Sequence, residues 1–394
     1  MKKVYDAVVK PYVTWVGAAG LASILILFLL YFYKLGNLVS GMSALEINAI
    51  SSASTKAEIL ANPLYLPHKL IVYLLTKLQV YSPEALRAVS TIFVILVIIA
   101  FYQLVKKWHS TRIAYLATVM FASSSWLLAT GRHATPTALL LIWFVLLVGL
   151  FWFKHYARRK YFAYVLALVF TSALYVPTAP YVFAIFSALY AKKIVSFFRK
   201  IGPRHTAGVA LFVLILAAPL FYAFYKNPSL IRDWLLIPDT INIRTVAHNF
   251  IALPKALIYA APHNPEFWLS RLPLLDLFSG TLLLLGVYAY RYHLRLKRTP
   301  LIWLCVMVAT LIVGFYGLGA AIILLPFIYI IIANGLSFLL GEWLKVFPKN
   351  PVARYLGTGL IIIAVAVSCF YQVSRYFVAW PKAPATRETY SIKP

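Results

Sequence analysis

The sequence predicts an all-α integral membrane protein, and three observations carry that prediction. Hydrophobic residues make up 62% of the 394 and charged residues only 12%, about half the charge of a soluble globule. Mean hydropathy is +0.83, and the apolar residues gather into runs long enough to cross a bilayer. The cations gather too. The segments 1–12, 105–113, 153–161, 191–205, 290–299 and 341–355 hold 22 of the 37 Lys and Arg in 70 residues.

Short loops rich in Lys and Arg mark the cytoplasmic face of a membrane protein. Eight of the ten acids (Glu46, Glu58, Glu84, Asp233, Asp239, Glu266, Asp276, Glu388) fall on the opposite face. The net charge of +27 therefore reads as topology, with anionic-lipid contact, and not as a nucleic-acid footprint. Cys305 and Cys369 both lie in apolar runs and read as core thiols without disulfide or metal spacing.

The whole chain, 1–394, is expected to form one polytopic domain with about eleven spans, N-terminus in and C-terminus out. Lys2, Lys3 and Lys10 hold the start inside, and the first span covers about 12–34, too long for a signal-peptide core. The first outer loop, about 35–82, follows. Its segment 43–60 mixes small, polar and apolar residues, as a helix lying at the interface does. Over 64–80, Lys69, Tyr73 and Lys77 recur on one helical face, opposite Leu70, Leu74, Leu75 and Leu78, which is again an interfacial pattern. Treating 64–80 as a span would turn every later basic loop outward, against the charge rule.

Ser82-Pro83-Glu84 reads as an N-cap, a proline at the first helical position and a first-turn acid. It opens a span over 83–106. Further spans are expected at about 112–130, 135–153, 161–176 and 181–198. Pro177 and Pro180 break the turn between the last two. A broken helix at membrane depth is tolerated where it lines a cavity, which would place Thr171, Ser172, Tyr175 and Thr178 on a cavity wall. A plain proline turn explains the same residues.

A span over about 206–225 leads to the long outer loop, about 226–272, with Arg232, Asp233, His248, His263 and Glu266. Loops of such length in a compact fold are usually functional. The remaining spans are about 273–290, 301–317, 319–341 and 356–374. An outer tail, 375–394, is expected to be exposed.

Ionisable residues avoid the span centres, whereas coupled transporters keep charge at mid-membrane. Acids, His and cations collect instead at the outer interface, where they suit chemistry on something held at the surface, such as a lipid-linked phosphate. Glu46 reads equally as a helix-capping acid and as a positioned carboxylate able to deprotonate a hydroxyl. Arg132, Arg87, His68 and Lys69 read as interfacial or packing groups or as a phosphate clamp. His248, His263 and Glu266 leave a divalent metal open without a compact ligand motif.

The order of segments resembles the polytopic C-type (GT-C) glycosyltransferases, in the branch of protein O-mannosyltransferases and bacterial aminoarabinose transferases. The resemblance rests on the acid-bearing first outer loop, on Asn62-Pro63-Leu64-Tyr65, and on Pro83-Glu84-Ala85-Leu86-Arg87. Later it rests on Thr130-Gly131-Arg132-His133, and on Leu324-Leu325-Pro326-Phe327 with Ala333-Asn334-Gly335-Leu336. It implies inverting transfer of a sugar from a polyprenyl-phosphate donor at the outer face of the cell membrane. Glu46 would be the catalytic base. Arg132, Lys69, Arg232 and Arg87 would hold the donor phosphate, with His68, Tyr65, Tyr175 and Thr178 lining the cavity. The alternative within the same architecture is a non-catalytic protein that binds or carries polyprenyl lipids. Leu45 stands where many members have a first acid, and Gly319-Ala320-Ala321 where many have Arg-Tyr.

Overall fold

The computed structural model describes residues 22–142, 144–145, 160–238, 240–269, 271–293, 296 and 298–392. The basic residues expected inside at the N-terminus and over 154–159 lie outside that set. Among the described residues the chain is built from helices, and its only β feature is a single antiparallel bridge, Met42 to Ile392.

In chain order the helices are α1 (Ala22–Phe32), then α2 (Ala44–Ser51), α3 (Lys56–Ala61), α4 (Leu66–Lys77), α5 (Pro83–Trp108), α6 (Thr111–Ser123) and α7 (Ser125–Gly131). A 3-10 turn at Pro136–Leu141 precedes α8 (Lys160–Leu174), α9 (Ala179–Ile201), α10 (Pro203–Lys226), α11 (Leu230–Trp234) and α12 (Ile243–Ile258). Next come α13 (Leu277–Tyr290), α14 (Arg298–Tyr316), a 3-10 turn at Leu318–Leu324, α15 (Leu325–Val346) and α16 (Pro351–Ser374). A π-helical turn at Arg375–Ala379 leads to the short α17 (Trp380–Lys382) and α18 (Pro384–Thr389).

Among the described residues, five helices are long and apolar enough to cross a membrane, or up to seven when two bent pairs each count as one span. Three shorter apolar helices join them, over Ala22–Phe32, Ala163–Leu174 and Leu277–Tyr290. The chain is a multi-pass membrane protein. The start of α5 is as the sequence dictates: the Ser82 side chain accepts from the Ala85 amide, with Pro83 in the first turn.

The centre of the bundle is the first half of α15, where every residue from Leu325 to Leu336 is buried. It packs on α13 through two glycines that leave room for the opposite backbone. A Cβ on Gly286 would lie 2.0 Å from the Ile331 carbonyl oxygen, and one on Gly335 2.1 Å from that of Leu282. Asn334 Nδ2 donates to the Gly286 carbonyl at 3.1 Å. Small residues and an interhelical amide bond hold membrane helices together where lipid supplies no hydrophobic drive.

Three expectations are corrected. The span over 112–130 is not one helix: α6 and α7 meet at 62°, because Ser124 takes an extended ψ of 125°. The freed Ser125 N–H and hydroxyl both donate to Gln372 Oε1, at 3.2 and 2.7 Å, so a side chain has replaced the helical ladder at the bend. The interfacial stretch 43–60 is two capped helices. The tail after Arg375 is only partly exposed: Tyr376, Trp380 and Tyr390 are buried, and the Met42 amide donates to the Ile392 carbonyl at 2.9 Å.

Candidate functional site

The first loop folds around a capping box. Ser43 accepts from the Glu46 amide, and the Glu46 carboxylate reaches back to the Ser43 N–H, the Ser-x-x-Glu arrangement that satisfies two orphan donors at a helix start. Glu46 does more than cap. Arg87, one turn into α5, donates from Nε to Oε1 at 2.8 Å and from Nη2 to Oε2 at 2.9 Å. The Ala134 amide donates to Oε1 at 2.8 Å and the Ser43 amide to Oε2 at 3.1 Å. Two bonds on each oxygen use all of a carboxylate's acceptor sites. Burial alone would push the Glu46 carboxyl up, but Arg87, the nearby His133 and the Ala134 amide together hold it down to about 2.

Arg87 is equally committed. Beyond Glu46, its Nη1 donates to the Leu35 and Gly36 carbonyls and its Nη2 to that of Gly41. All five of its N–H groups have acceptors, so in this arrangement none is left for a phosphate. Arg132 sits at the end of α1, where its Nη1 donates to the Leu30 and Tyr31 carbonyls and its Nη2 to Tyr33. A cation on terminal helix carbonyls complements both the orphan acceptors and the dipole. Its guanidinium also lies 4.8 Å from the Phe377 ring centroid.

Between the two arginines is a cavity of about 10 Å³, lined among others by Arg87, Arg132, His133, Tyr376, Trp380 and Tyr390. That is room for one water molecule. Tyr390 closes this side: its hydroxyl donates to the Glu266 carbonyl at 3.0 Å, and its ring lies 5.8 Å from the Arg87 guanidinium. Glu266 is half-buried and faces the same loop. Burial pushes its carboxyl up and the Glu46 charge adds to this, while the Ser43 side chain and the Leu45 amide pull it down.

A second cluster lies on α4. The Lys69 face of this helix points inward: Lys69 and His68 are buried, whereas Leu70, Leu74 and Leu78 are exposed. Of the three residues expected on one polar face, Lys69 is buried, Tyr73 is half-buried and Lys77 is exposed. Its Nζ donates to the Asn62 carbonyl at 2.7 Å, and no described carboxylate is within ion-pair reach. Burial lowers its ammonium to about 8, and the more distant Glu58 offsets this in part.

Burial, with the Lys69 charge, lowers His68 to about 4, so its imidazole is neutral at neutral pH. Ser90 Oγ donates to the Thr135 carbonyl at 2.7 Å and lies 3.3 Å from His68 Nε2. With its proton spent, Ser90 accepts from Nε2–H, which leaves Nδ1 a buried acceptor without a partner.

The two clusters are joined through the 133–135 turn, where His133 Nδ1 contacts Thr135 Oγ1 at 2.9 Å and Nε2 contacts Ser43 Oγ at 3.2 Å. The remaining expected residues fall elsewhere. Tyr65 holds a left-handed backbone, φ 61°, and its amide donates to the Tyr175 carbonyl at 2.7 Å, pinning the entry of α4 to the proline corner after α8. Tyr175 spends its hydroxyl on the Leu216 carbonyl, while the buried Thr178 hydroxyl has no partner. Arg232 is exposed on α11. Among the described residues no three His, Cys, Asp or Glu converge as metal ligands, so His248, His263 and Glu266 are not brought together. His133, Ser90 and Tyr390 were not singled out from the sequence, because the contacts that bring them to the site, to Ser43, His68 and Glu266, are with residues at least 22 positions away.

No protein-family model matches the sequence and no curated protein matches it. Among solved structures, that of ArnT from Cupriavidus metallidurans in the apo state is similar, with a TM-score of 0.61 at 13% identity. The match covers 95% of this chain and 78% of that one. The fold is of the GT-C type, as the order of segments led one to expect.

Proposed function

We propose that this chain is a membrane glycosyltransferase that takes a sugar from a polyprenyl-phosphate donor at the outer face of the cell membrane and passes it, with inversion, to an acceptor. The topology that goes with this reading has about eleven spans, N-terminus in and C-terminus out. The observation that carries it is Lys69. A buried ammonium with only a backbone carbonyl as partner is costly, and an anion arriving there would relieve that cost. Lys69 projects inward from an interfacial helix, the height at which a lipid phosphate lies.

Fixed positive charge at the leaving oxygen is what release of a polyprenyl phosphate requires. His68 Nδ1 next door offers an acceptor for a hydroxyl of the sugar or of the incoming nucleophile. Arg132 and Arg232 remain second cations for the donor, while Arg87 holds Glu46. Glu46 serves as base in this reading once one of its four donors is released on acceptor entry.

One observation favours the alternative, a carrier of polyprenyl lipids without turnover: Glu46 has no acceptor site free, and Leu45 occupies the neighbouring position. Incubating the purified protein with radiolabelled polyprenyl-phosphate sugars decides between them. Transfer or hydrolysis that Lys69→Met abolishes supports the enzyme. Binding that Lys69→Met weakens, with no turnover in any variant, supports the carrier. Neither binding nor turnover removes both.

A further inference from the structure

Helix α12, in the long outer loop, has three faces rather than two. At 100° per residue, Ile243, Ala247, Ile251, Pro254 and Ile258 share an arc of about 80°, and all five are exposed, Ile243 at 84% and Ile251 at 70%. Arg244, His248 and Lys255 occupy the adjoining arc and are also exposed. The opposite face, with Leu253 and Ala256, is buried.

The position of the helix is fixed by the membrane-length α14 and the shorter apolar α13. Asn249 Nδ2 donates to the Gly314 carbonyl at 3.0 Å, and Gly314 has no side chain because the Phe250 ring fills that space. Both contacts are made near the C-terminal end of α14. The Leu274 and Leu275 amides donate to the Ala256 and Leu257 carbonyls at 2.9 and 3.1 Å, just before Asp276 caps the start of α13. α12 therefore lies across the end of the membrane-length α14 and the start of the shorter apolar α13.

The geometry points to α12 as an anchor on the bilayer surface, with its isoleucine stripe in the acyl boundary and Arg244, His248 and Lys255 against the phosphates of anionic phospholipids. An apolar stripe bordered by cations is the composition of helices that lie in the interface plane. Each Lys or Arg near an anionic surface adds about 1 kcal/mol, or roughly fivefold in affinity. The exposed C-cap Tyr259, at 75%, adds an amphipathic ring on the far side of the cations, suited to the headgroup layer. The inference is independent of whether the site turns over a sugar.

The test uses the full chain in vesicles of phosphatidylcholine with or without one part in three of phosphatidylglycerol (a proportion of about 30%, chosen to give a strong surface potential). Cys305→Ala and Cys369→Ala leave a single bimane label at Ile251→Cys, with the same label at the exposed Arg387→Cys as a water-facing control. Shallow spin-labelled lipid should quench the Ile251 label and aqueous iodide should not. Phosphatidylglycerol should strengthen the lipid quenching, and Arg244→Gln with Lys255→Gln should remove that strengthening while the protein stays folded by thermal midpoint. Iodide access equal to that at Arg387 would overturn the inference. So would lipid quenching indifferent to both phosphatidylglycerol and the two cations. Shielding that grows with protein density, without lipid quenching, would overturn it in favour of a second copy covering the stripe.

Discussion

Arg87 grips Glu46 with two parallel N–H···O bonds, 2.8 and 2.9 Å long, between side chains that are 2% and 0% exposed. The pair ties the start of α5 to the cap of α2, across 41 residues of chain. Removing one partner leaves a buried charge without compensation, which costs about 3–5 kcal/mol. Arg87→Leu should therefore lower the thermal midpoint sharply, and Glu46→Gln less, because glutamine keeps an oxygen for the Ala134 amide. The double variant should be more stable than the sum of the two predicts. Thermal unfolding of the four proteins in one detergent checks this, and additive losses would show that the pair is not coupled.

Acid should loosen the same junction. The ordinary glutamate value is 4.5 and the folded protein holds Glu46 down to about 2. A depressed carboxyl binds fewer protons folded than unfolded, so its contribution is complete above about 4.5 and is lost as pH falls toward 2. The size is on the order of 3 kcal/mol. The thermal midpoint should fall across that window in the natural protein, and the Glu46→Gln variant should lack this part of the slope. An identical slope in both would place the acid sensitivity elsewhere, for instance at Asp276.

The helical, multi-pass character was legible because hydropathy and capping are local. Ser82-Pro83-Glu84 announces α5 within three residues, and Lys/Arg-rich loops separate the apolar runs. The helix Leu66–Lys77 was legible too, but which of its faces is buried was not. Leu70, Leu74 and Leu78 are exposed while Lys69 turns inward to the Asn62 carbonyl, the reverse of the rule for a helix in water. The Arg87–Glu46 clasp and the burial of Tyr390 depend on where distant segments return in space. A composition containing only ten acids says that one of them is worth watching, not what it meets.

The chain end works as a strap over this junction. A Cβ on Gly41 would lie 2.3 Å from the Ile392 carbonyl oxygen and 2.8 Å from that of Tyr390, both of them backbone atoms that cannot turn aside. Gly41→Ala should therefore displace residues 390–392 while leaving the helices in place. Tyr390→Phe, which loses only the bond to the Glu266 carbonyl, should cost about 1 kcal/mol. Limited proteolysis of the tail separates the two: Gly41→Ala should be cut readily and Tyr390→Phe slowly. Equal resistance in Gly41→Ala and the natural protein would mean that the strap is not held by this close approach.

If Lys69 holds the donor phosphate as proposed, it gives that site its pH dependence. Burial lowers the free ammonium to about 8, so above that pH the empty site turns neutral. A bound phosphate favours the charged form and raises the value again. Binding then takes up a proton, and affinity for a polyprenyl phosphate must weaken as pH rises through 8. Between pH 7 and 9.5 the loss should be roughly tenfold, about one pKa unit of linkage. Lys69→Met should bind about 10- to 100-fold more weakly at pH 7, the worth of a charge-assisted hydrogen bond, and should lose the slope. Titration of the purified protein with a short-chain polyprenyl phosphate at the two pH values reads both effects. If the slope survives in Lys69→Met, another group carries the proton, and the buried ammonium does not meet the donor.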